Sequence, residues 1–305
     1  MKKTLIIGST VVDIIIGVKA LPKTQEDTHT TSHKMNLGGC AFNVSEIFRQ
    51  SKTPYVLCSP VGSGAFGDYV EKKLIEKNIP IFVKTPEIEN GCCYCFVEES
   101  GERTFISHHG AEYLFSKEWV KNLNINEFDS VYICGLEIEE KTGYEIVSWL
   151  EEISNFNLKI YFAPGPRLTK IDEKLINRIF ALNPIIHLNE IEAQDFSKEN
   201  DIVLAGKYIN SLTQNAVIIT LGEKGCFYLD SKDFGFVPVD NSKDTVTVVD
   251  TIGAGDSHIG SLICSLKRGM SVASACKVAN TVSKAVVAVS GASLSDENFQ
   301  KLELF

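Results

Sequence analysis

The chain has little of what marks nucleic-acid-binding, membrane-spanning or disulfide-built proteins. Its 30 lysines and arginines are outnumbered by 39 aspartates and glutamates, leaving a formal net charge of −9. That balance argues against a nucleic-acid surface as the main function, although a local basic pocket remains compatible with it. No apolar stretch approaches the ~20 residues needed to span a bilayer. The N-terminal MKKTLIIGSTVVDIIIG carries two lysines and an apolar run, but Asp13 interrupts the run and no small-residue cleavage site follows. A buried first strand is therefore a better reading than a signal peptide. Nine cysteines, an odd number, are scattered through apparent strands and helices. They argue for reduced thiols in a cytoplasmic protein rather than a disulfide framework. No repeat, low-complexity tract or Pro/Gly/Ser linker divides the 305 residues.

What is present is ordinary globular composition, 44% hydrophobic and 23% charged, in a chain long enough for a sizeable core. Short β-branched runs alternate with amphipathic segments. TLIIGS, PYVLCSPVG, SVYICGLE, LKIYFAP, PIIHLNE and AVIITLG read as strands. FGDYVEKKLIEKN, TGYEIVSWLEEIS, DEKLINRIFAL and NDIVLAGKYINSL read as helices. Such alternation predicts an α/β fold, a mostly parallel central sheet with helices on both faces.

Two regions break the rhythm. Residues 11–37 are extended and Thr-rich, without a helical period, and residues 91–110 read as two strands joined by a turn at Ser100-Gly101. Together they predict a small β-structure projecting from the main sheet. Its exposed face needs a cover: substrate, the core domain or a second subunit. The expected organisation is one domain over 1–305 with this lid. Within it, Cys92, Cys93 and Cys95, with His108 and His109, invite a metal reading. Strand alternation puts Cys92 on the opposite face from the other two, which converges poorly on a tetrahedral site.

DTIGAGD, residues 250–256, follows the β-branched run TVTVV and precedes an apolar-periodic helix. It is expected at a strand-to-helix turn, where unpaired amides and the helix dipole attract an anion. Asp256 is equally readable as an N-cap. The glycines at 253 and 255 favour a functional reading, because they let backbone approach a ligand closely. A carboxylate beside an anion hole suits a base that takes a proton from an attacking hydroxyl during phosphoryl transfer.

Other turns carry weaker signals. TLGEKG, residues 220–225, is either a hairpin turn or a ligand loop at a strand's carboxyl end. NEIE, residues 189–192, has Asn189 and Glu192 in capping-box spacing, while Glu192 could instead order water around magnesium. In LGGCAFN, residues 37–43, Gly38-Gly39 permits close approach and Asn43 offers both donor and acceptor atoms. Asp13 and Glu137 lie in or at the end of apolar runs, where ligand hydroxyls, a cation or solvent would answer their charge. GSGAFG, residues 62–67, matches G-x-G-x-x-G and supports a rival class, an NAD-dependent oxidoreductase. Against it, PEIEN some ~20 residues on reads as loop, not the strand end where a ribose-binding acid belongs.

Taken together, GSTVVD, LGGCAFN, VGSGAFG, GERTF, NEIE, TLGEKG and DTIGAGD resemble, in order and over essentially the whole chain, the ribokinase-like (PfkB) family of carbohydrate and nucleoside kinases. The resemblance implies a three-layer fold with a β-lid over the sugar. It implies that Asp256 is the catalytic base and that the amides of Gly253, Ala254 and Gly255 form the anion hole. Asp13, Gly39, Asn43 and Glu137 would hold sugar hydroxyls. Thr220, Leu221, Gly222, Glu223, Lys224 and Gly225 would contact ATP, with Asn189 at its phosphates, Gly255 at the transferred group and Asn280 near adenine. Glu192 would serve the Mg²⁺ shell through water. In potassium-activated members the position of Asp250 belongs to a monovalent-cation site, here with Ile252, Val286, Val289, Gly291 and Ser295.

Departures bear on the substrate. Ribokinase itself has asparagine at Val11 and lysine at Cys40, and the loss of two polar groups argues against ribose. Ala163 in APGPR and Gly64 each stand where the family usually has aspartate. The expectation is an ATP-dependent kinase acting on a primary hydroxyl of a small sugar or nucleoside, partnered with neither nucleic acid nor membrane, and forming a homodimer through the lid. The alternatives are the oxidoreductase and a catalytically silent sugar or nucleotide sensor.

Overall fold

The computed structural model describes residues 1–240 and 246–305. The chain runs through β1 (Lys3–Ile7), β2 (Val11–Val18), β3 (Thr30–Gly38), α1 (Cys40–Gln50), β4 (Tyr55–Cys58) and β5 (Pro60–Ser63). Then come α2 (Gly64–Glu76), β6 (Val83–Glu89), β7 (Cys92–Glu98), β8 (Arg103–His108), α3 (Lys117–Val120) and β9 (Phe128–Cys134). Next are α4 (Gly135–Glu139), α5 (Gly143–Glu152), β10 (Lys159–Ala163), α6 (Glu173–Phe180), β11 (Ile185–Asn189) and α7 (Glu190–Ser197). The last third holds α8 (Ile202–Thr213), β12 (Val217–Thr220), β13 (Cys226–Leu229), β14 (Phe234–Val237), α9 (Ala254–Lys267), α10 (Val272–Val286) and α11 (Asp296–Gln300).

Eight strands form the main sheet in the order β14-β13-β12-β11-β10-β9-β1-β4. The six from β12 to β4 are parallel, while β13 and β14 close one end as antiparallel strands. Successive residues of each strand feed opposite faces. Ile6, Tyr132, Tyr161 and Ile218 pack with α1, α9 and α10, whereas Leu5, Val131, Phe162 and Ile219 pack with α5, α6 and α8. Two cores on either side of one sheet give the expected α/β three-layer architecture.

A four-stranded sheet, β3-β2-β7-β8, stands apart from it. Its register sets Asp13 between Asn36 and Cys93. β3 is exposed along most of its length. Among the described residues no helix is long and apolar enough to cross a membrane, and no group of three or more His, Cys, Asp or Glu is arranged to hold a metal.

Two sequence expectations fail. PEIEN is not a loop: all but Asn90 belongs to β6, which pairs in parallel with β5. Proline at the edge of a two-stranded sheet does not bar a strand. TVTVV forms no strand over residues 246–249, and Thr245 lies outside the described residues. The amides of Val249 and Asp250 both go to the Val287 carbonyl, at 2.8 and 3.2 Å. β-branched residues favour strands only where a ladder partner exists, and here the neighbour is the end of α10.

Candidate active site

The N-terminus of α9 is built around an αL residue. Gly253, the N-cap, has φ 73°, and a Cβ there would collide with the Ala292 carbonyl. No side chain caps this helix. Asp256 is thus not spent as a cap: its carboxylate accepts a hydrogen bond from Asn43 Nδ2 at 2.8 Å. The Ala254 amide reaches the Thr251 carbonyl at 3.3 Å, and the next bonded amide is that of Ser257, to the Gly253 carbonyl at 2.8 Å. The amides of Gly255 and Asp256 have no acceptor among the described residues. A Cβ at Gly255 would meet nothing within 4 Å. The turn therefore presents free donors to open space, next to a carboxylate.

Three carboxyls converge near it, each raised by burial. Asp256 is pushed up to about 6, against the lowering effect of its Asn43 and Cys40 hydrogen bonds. Asp13 rises to about 7, helped by the negative charges of Asp256 and Asp250. Glu137, near the start of α4 just past the end of β9, also rises to about 7, although it accepts the Ser9 amide at 2.8 Å. A Cβ at Gly38 would overlap the Asp13 carboxylate, so the glycine makes its place. Gly39 then caps α1, which carries Asn43.

Several polar atoms around these groups are buried without a partner among the described residues: Ser9 Oγ, Thr10 Oγ1, Asn43 Oδ1 and Glu137 Oε2. Orphaned buried polar atoms are costly, and a polyhydroxylated ligand would satisfy them. Ser9 and Thr10 were not foreseen as site residues. Ser9 and Thr10 lie within the GSTVVD stretch, but nothing in their spacing distinguishes them from ordinary strand-end hydroxyls.

The other expected groups are distributed as follows. Asn189 and Glu192 form a full capping box: Oδ1 accepts the Glu192 amide at 2.8 Å, while the Asn189 amide and Nδ2 reach the Glu192 carboxylate at 3.0 and 2.8 Å. Glu192 is half-buried, and burial raises its carboxyl. Residues 220–225 join antiparallel β12 and β13 through a single turn, Gly222–Lys224, closed by Leu221 N to Gly225 O at 2.7 Å. It is a hairpin at the carboxyl end of β12, with Gly222, Glu223 and Lys224 exposed. Asn280 lies in the buried part of α10. It is 4% exposed, its Nδ2 donates to the Val237 carbonyl at 2.8 Å, and its Oδ1 meets His258. Its side chain ties α10 to α9 and to the end of β14.

Around Asp250, the amides of Ile252 and Gly291 donate to its two oxygens at 2.9 and 3.1 Å. Val286 O accepts the Val289 amide at 3.1 Å. Ser295 Oγ caps α11 through the Asn298 amide at 3.2 Å. Arg103, from β8, forms an ion pair with the Asp250 carboxylate. Ala163 ends β10. A side chain at Gly64 would face the Glu89 carboxyl at 3.4 Å, so aspartate there would meet like charge.

The G-x-G-x-x-G match does lie in a β5–α2–β6 unit, and two of its glycines are crowded by the chain itself. A Cβ at Gly62 would strike the Ile88 carbonyl, and one at Gly67 the Gly62 carbonyl. Gly62 and Gly67 thus serve close packing of the chain on itself.

The first turn of α9 thus sets free amides beside a partly buried carboxylate. Residues 1–298 match the pfkB family carbohydrate kinase, and the chain belongs to that family. It is 30% identical over 290 residues to the uncharacterized sugar kinase YegV of Escherichia coli (strain K12), covering 94% of this chain and 88% of that one. The ribokinase of Thermotoga maritima superposes with a TM-score of 0.82 at 21% identity, covering 99% of both chains. The ribokinase of Cryptococcus neoformans var. grubii serotype A, in complex with ADP, gives a TM-score of 0.79 at 17% identity, covering 99% of this chain and 100% of that one. At these identities the two structural likenesses speak to the fold.

Proposed function

We propose that this sugar kinase moves the γ-phosphoryl group of ATP to a primary hydroxyl of a small sugar, sugar derivative or nucleoside, with Asp256 as the general base. The observation that carries the proposal is the pairing, on one helical turn, of an oriented carboxylate with amides that have no acceptor. With its pKa near 6, Asp256 is ionised at neutral pH and able to take a proton. The acceptor hydroxyl would sit between Asp256 and Asn43, with its remaining hydroxyls toward Asp13, Gly39 and Glu137. The amides of the Gly253–Asp256 turn would hold charge developing on the transferred group. The nucleotide would extend over Asn189 and the 220–225 hairpin.

Magnesium would be held mainly by the nucleotide phosphates and water. The residues fit that role, since Glu192 keeps lone pairs free and magnesium binds through one or two carboxylates while retaining several waters. When bound, the ion neutralises phosphate charge. A potassium ion at Asp250 does not fit the arrangement, because Arg103 already supplies the positive charge there.

The whole chain would work as one domain, with the four-stranded sheet as a lid that excludes water, a competing acceptor. Exposed Phe105 and Ile106 on outer strand β8 suit a second copy docked through the lid. Nine free thiols suit a reducing, ATP-containing cytoplasm. The test is an ADP-release screen over pentoses, hexoses, sugar acids and nucleosides, with Asp256→Asn as control. Acceptor-dependent ADP release by the wild type that disappears in the variant supports the reading. Tight ATP binding without turnover of any acceptor would leave a sensor instead.

A further inference from the structure

Asp250 is 5% exposed, deep enough that an ionised carboxylate needs a positive partner. Two backbone amides, of Ile252 and Gly291, hold its oxygens without neutralising its charge. The neutralising group is Arg103 Nη1, which reaches Oδ1 from the outer strand of the small sheet, 147 residues away in sequence. Arg103 makes the one ion pair on Asp250 among the described residues. The oxygens that would ring a monovalent ion are partly spent elsewhere: Val286 O on the Val289 amide, and Ser295 Oγ on the α11 cap.

We propose that Arg103 is the resident counter-ion of Asp250, so that this kinase needs no activating monovalent cation. The same contact ties the outer edge of the four-stranded sheet to the anion-binding turn. Asp250 Oδ1 accepts both Arg103 and the Ile252 amide, and Ile252 immediately precedes Gly253. A guanidinium suits this post because it is charged at every working pH, weakly hydrated and rigid. Arg103 is thus a positioning residue: it orders the turn through Asp250 and is not itself placed on the reacting atoms. A cavity of about 290 Å³ lies beside the pair, lined by Ile15, Lys34, Cys95, Arg103, Asp250 and Ile252. It offers room for a small ion once the guanidinium is removed.

The proposal rests on the kinase reading of the turn, and its test separates the two. Wild type and Arg103→Met are compared in buffers containing magnesium and either tetramethylammonium or potassium. Wild-type turnover should differ by less than about twofold between the two. Arg103→Met should lose at least about tenfold in kcat in tetramethylammonium, a misplacement effect, and regain part of it in potassium. Arg103→Lys, which keeps the charge, should retain more activity than Arg103→Met and show a weaker potassium response.

A second readout does not depend on turnover. Potassium, compared with tetramethylammonium, should raise the melting temperature of Arg103→Met and leave the wild type unmoved, since an ion that binds only the folded state stabilises it. Potassium activation of the wild type by about tenfold or more would overturn the proposal. So would an Arg103→Met variant with unchanged turnover and no response to potassium in either assay. If the wild type phosphorylates no acceptor, the kinase reading fails, while the melting comparison still decides the counter-ion.

Discussion

Asn43 Nδ2 donates to the Asp256 carboxylate at 2.8 Å, joining residues 213 positions apart in sequence. The bond links the first turn of α1 to the first turn of α9 and fixes the carboxylate away from the helix cap. It also opposes the effect of burial, favouring the ionised form of a carboxyl whose pKa burial raises.

The first prediction concerns the base itself. Asp256→Asn should preserve the fold and reduce kcat at least about a hundredfold, the lower end for acid–base catalysis. In the wild type, kcat/KM should fall as pH drops through the region of about 6 to 7 where Asp256, Asp13 and Glu137 take up protons. The limb belongs to the three groups together, because neighbouring carboxyls titrate as a set. Near-wild-type turnover in the variant would remove Asp256 from the mechanism.

Asn43→Ala tests the hydrogen bond. Losing the donor should raise the Asp256 pKa by about one unit, since a hydrogen bond to a charged group contributes about 1.5–3 kcal/mol, partly replaced by water. The acid limb of the pH–rate profile should move to higher pH, and the rate deficit should shrink as pH rises. A uniform deficit at every pH would mean that Asn43 only shapes the pocket.

The fold class was legible in the sequence because alternating strand and helix patterns report burial directly. The motifs also named residues that the fold brings into contact, Asn43 and Asp256. What could not be read was where β-branched residues find no partner. TVTVV reads as a strand by propensity, yet its visible part runs along the end of α10 as irregular chain. PEIEN reads as a loop because of its proline and charges, yet pairs along an edge where both are tolerated. Contacts between remote residues escape the sequence for the same reason. Arg103 was visible within GERTF, but its partner lies 147 residues on, and no spacing rule links a strand's arginine to a remote aspartate. Asn280 matches a motif position, and its contacts with His258 and Val237 are ones only packing reveals.

A pair of glycine variants separates the anion hole from the fold. Gly253→Ala forces a side chain into φ 73° and into the Ala292 carbonyl. It should cost at least about 1–2 kcal/mol of stability, lowering the melting temperature. Gly255→Ala meets no protein atom within 4 Å. It should melt within about 1 kcal/mol of wild type, the helix-propensity difference between glycine and alanine. Its methyl group would nonetheless enter the space where the transferred group binds. Turnover should fall on the order of a hundredfold, as when an anion-hole donor is lost. A fully active Gly255→Ala would move the phosphoryl site elsewhere.

Glu137 offers a test of stability given up for the site. It is 2% exposed, with Oε1 held by the Ser9 amide and Oε2 without a partner. Its pKa rises from 4.5 in the reference state to about 7 in the folded protein. Between those values the folded state binds more protons than the unfolded one, so stability falls as pH rises. The contribution is fully present below 4.5 and lost through about 7. Above that window the buried, ionised carboxylate costs about 3 kcal/mol at most, at ~1.4 kcal/mol per unit. Glu137→Gln keeps the shape and removes the charge, while its amide nitrogen inherits the unpartnered position at a cost of about 1–3 kcal/mol. The balance is best for the variant at high pH. Its melting temperature relative to wild type should therefore rise by several degrees from about pH 4.5 to about pH 8. Acceptor KM should rise over the same substitution, because a carboxylate that takes a hydroxyl proton in a hydrogen bond becomes a weaker, neutral acceptor. A melting difference independent of pH would show that Glu137 is not the group whose ionisation burial opposes.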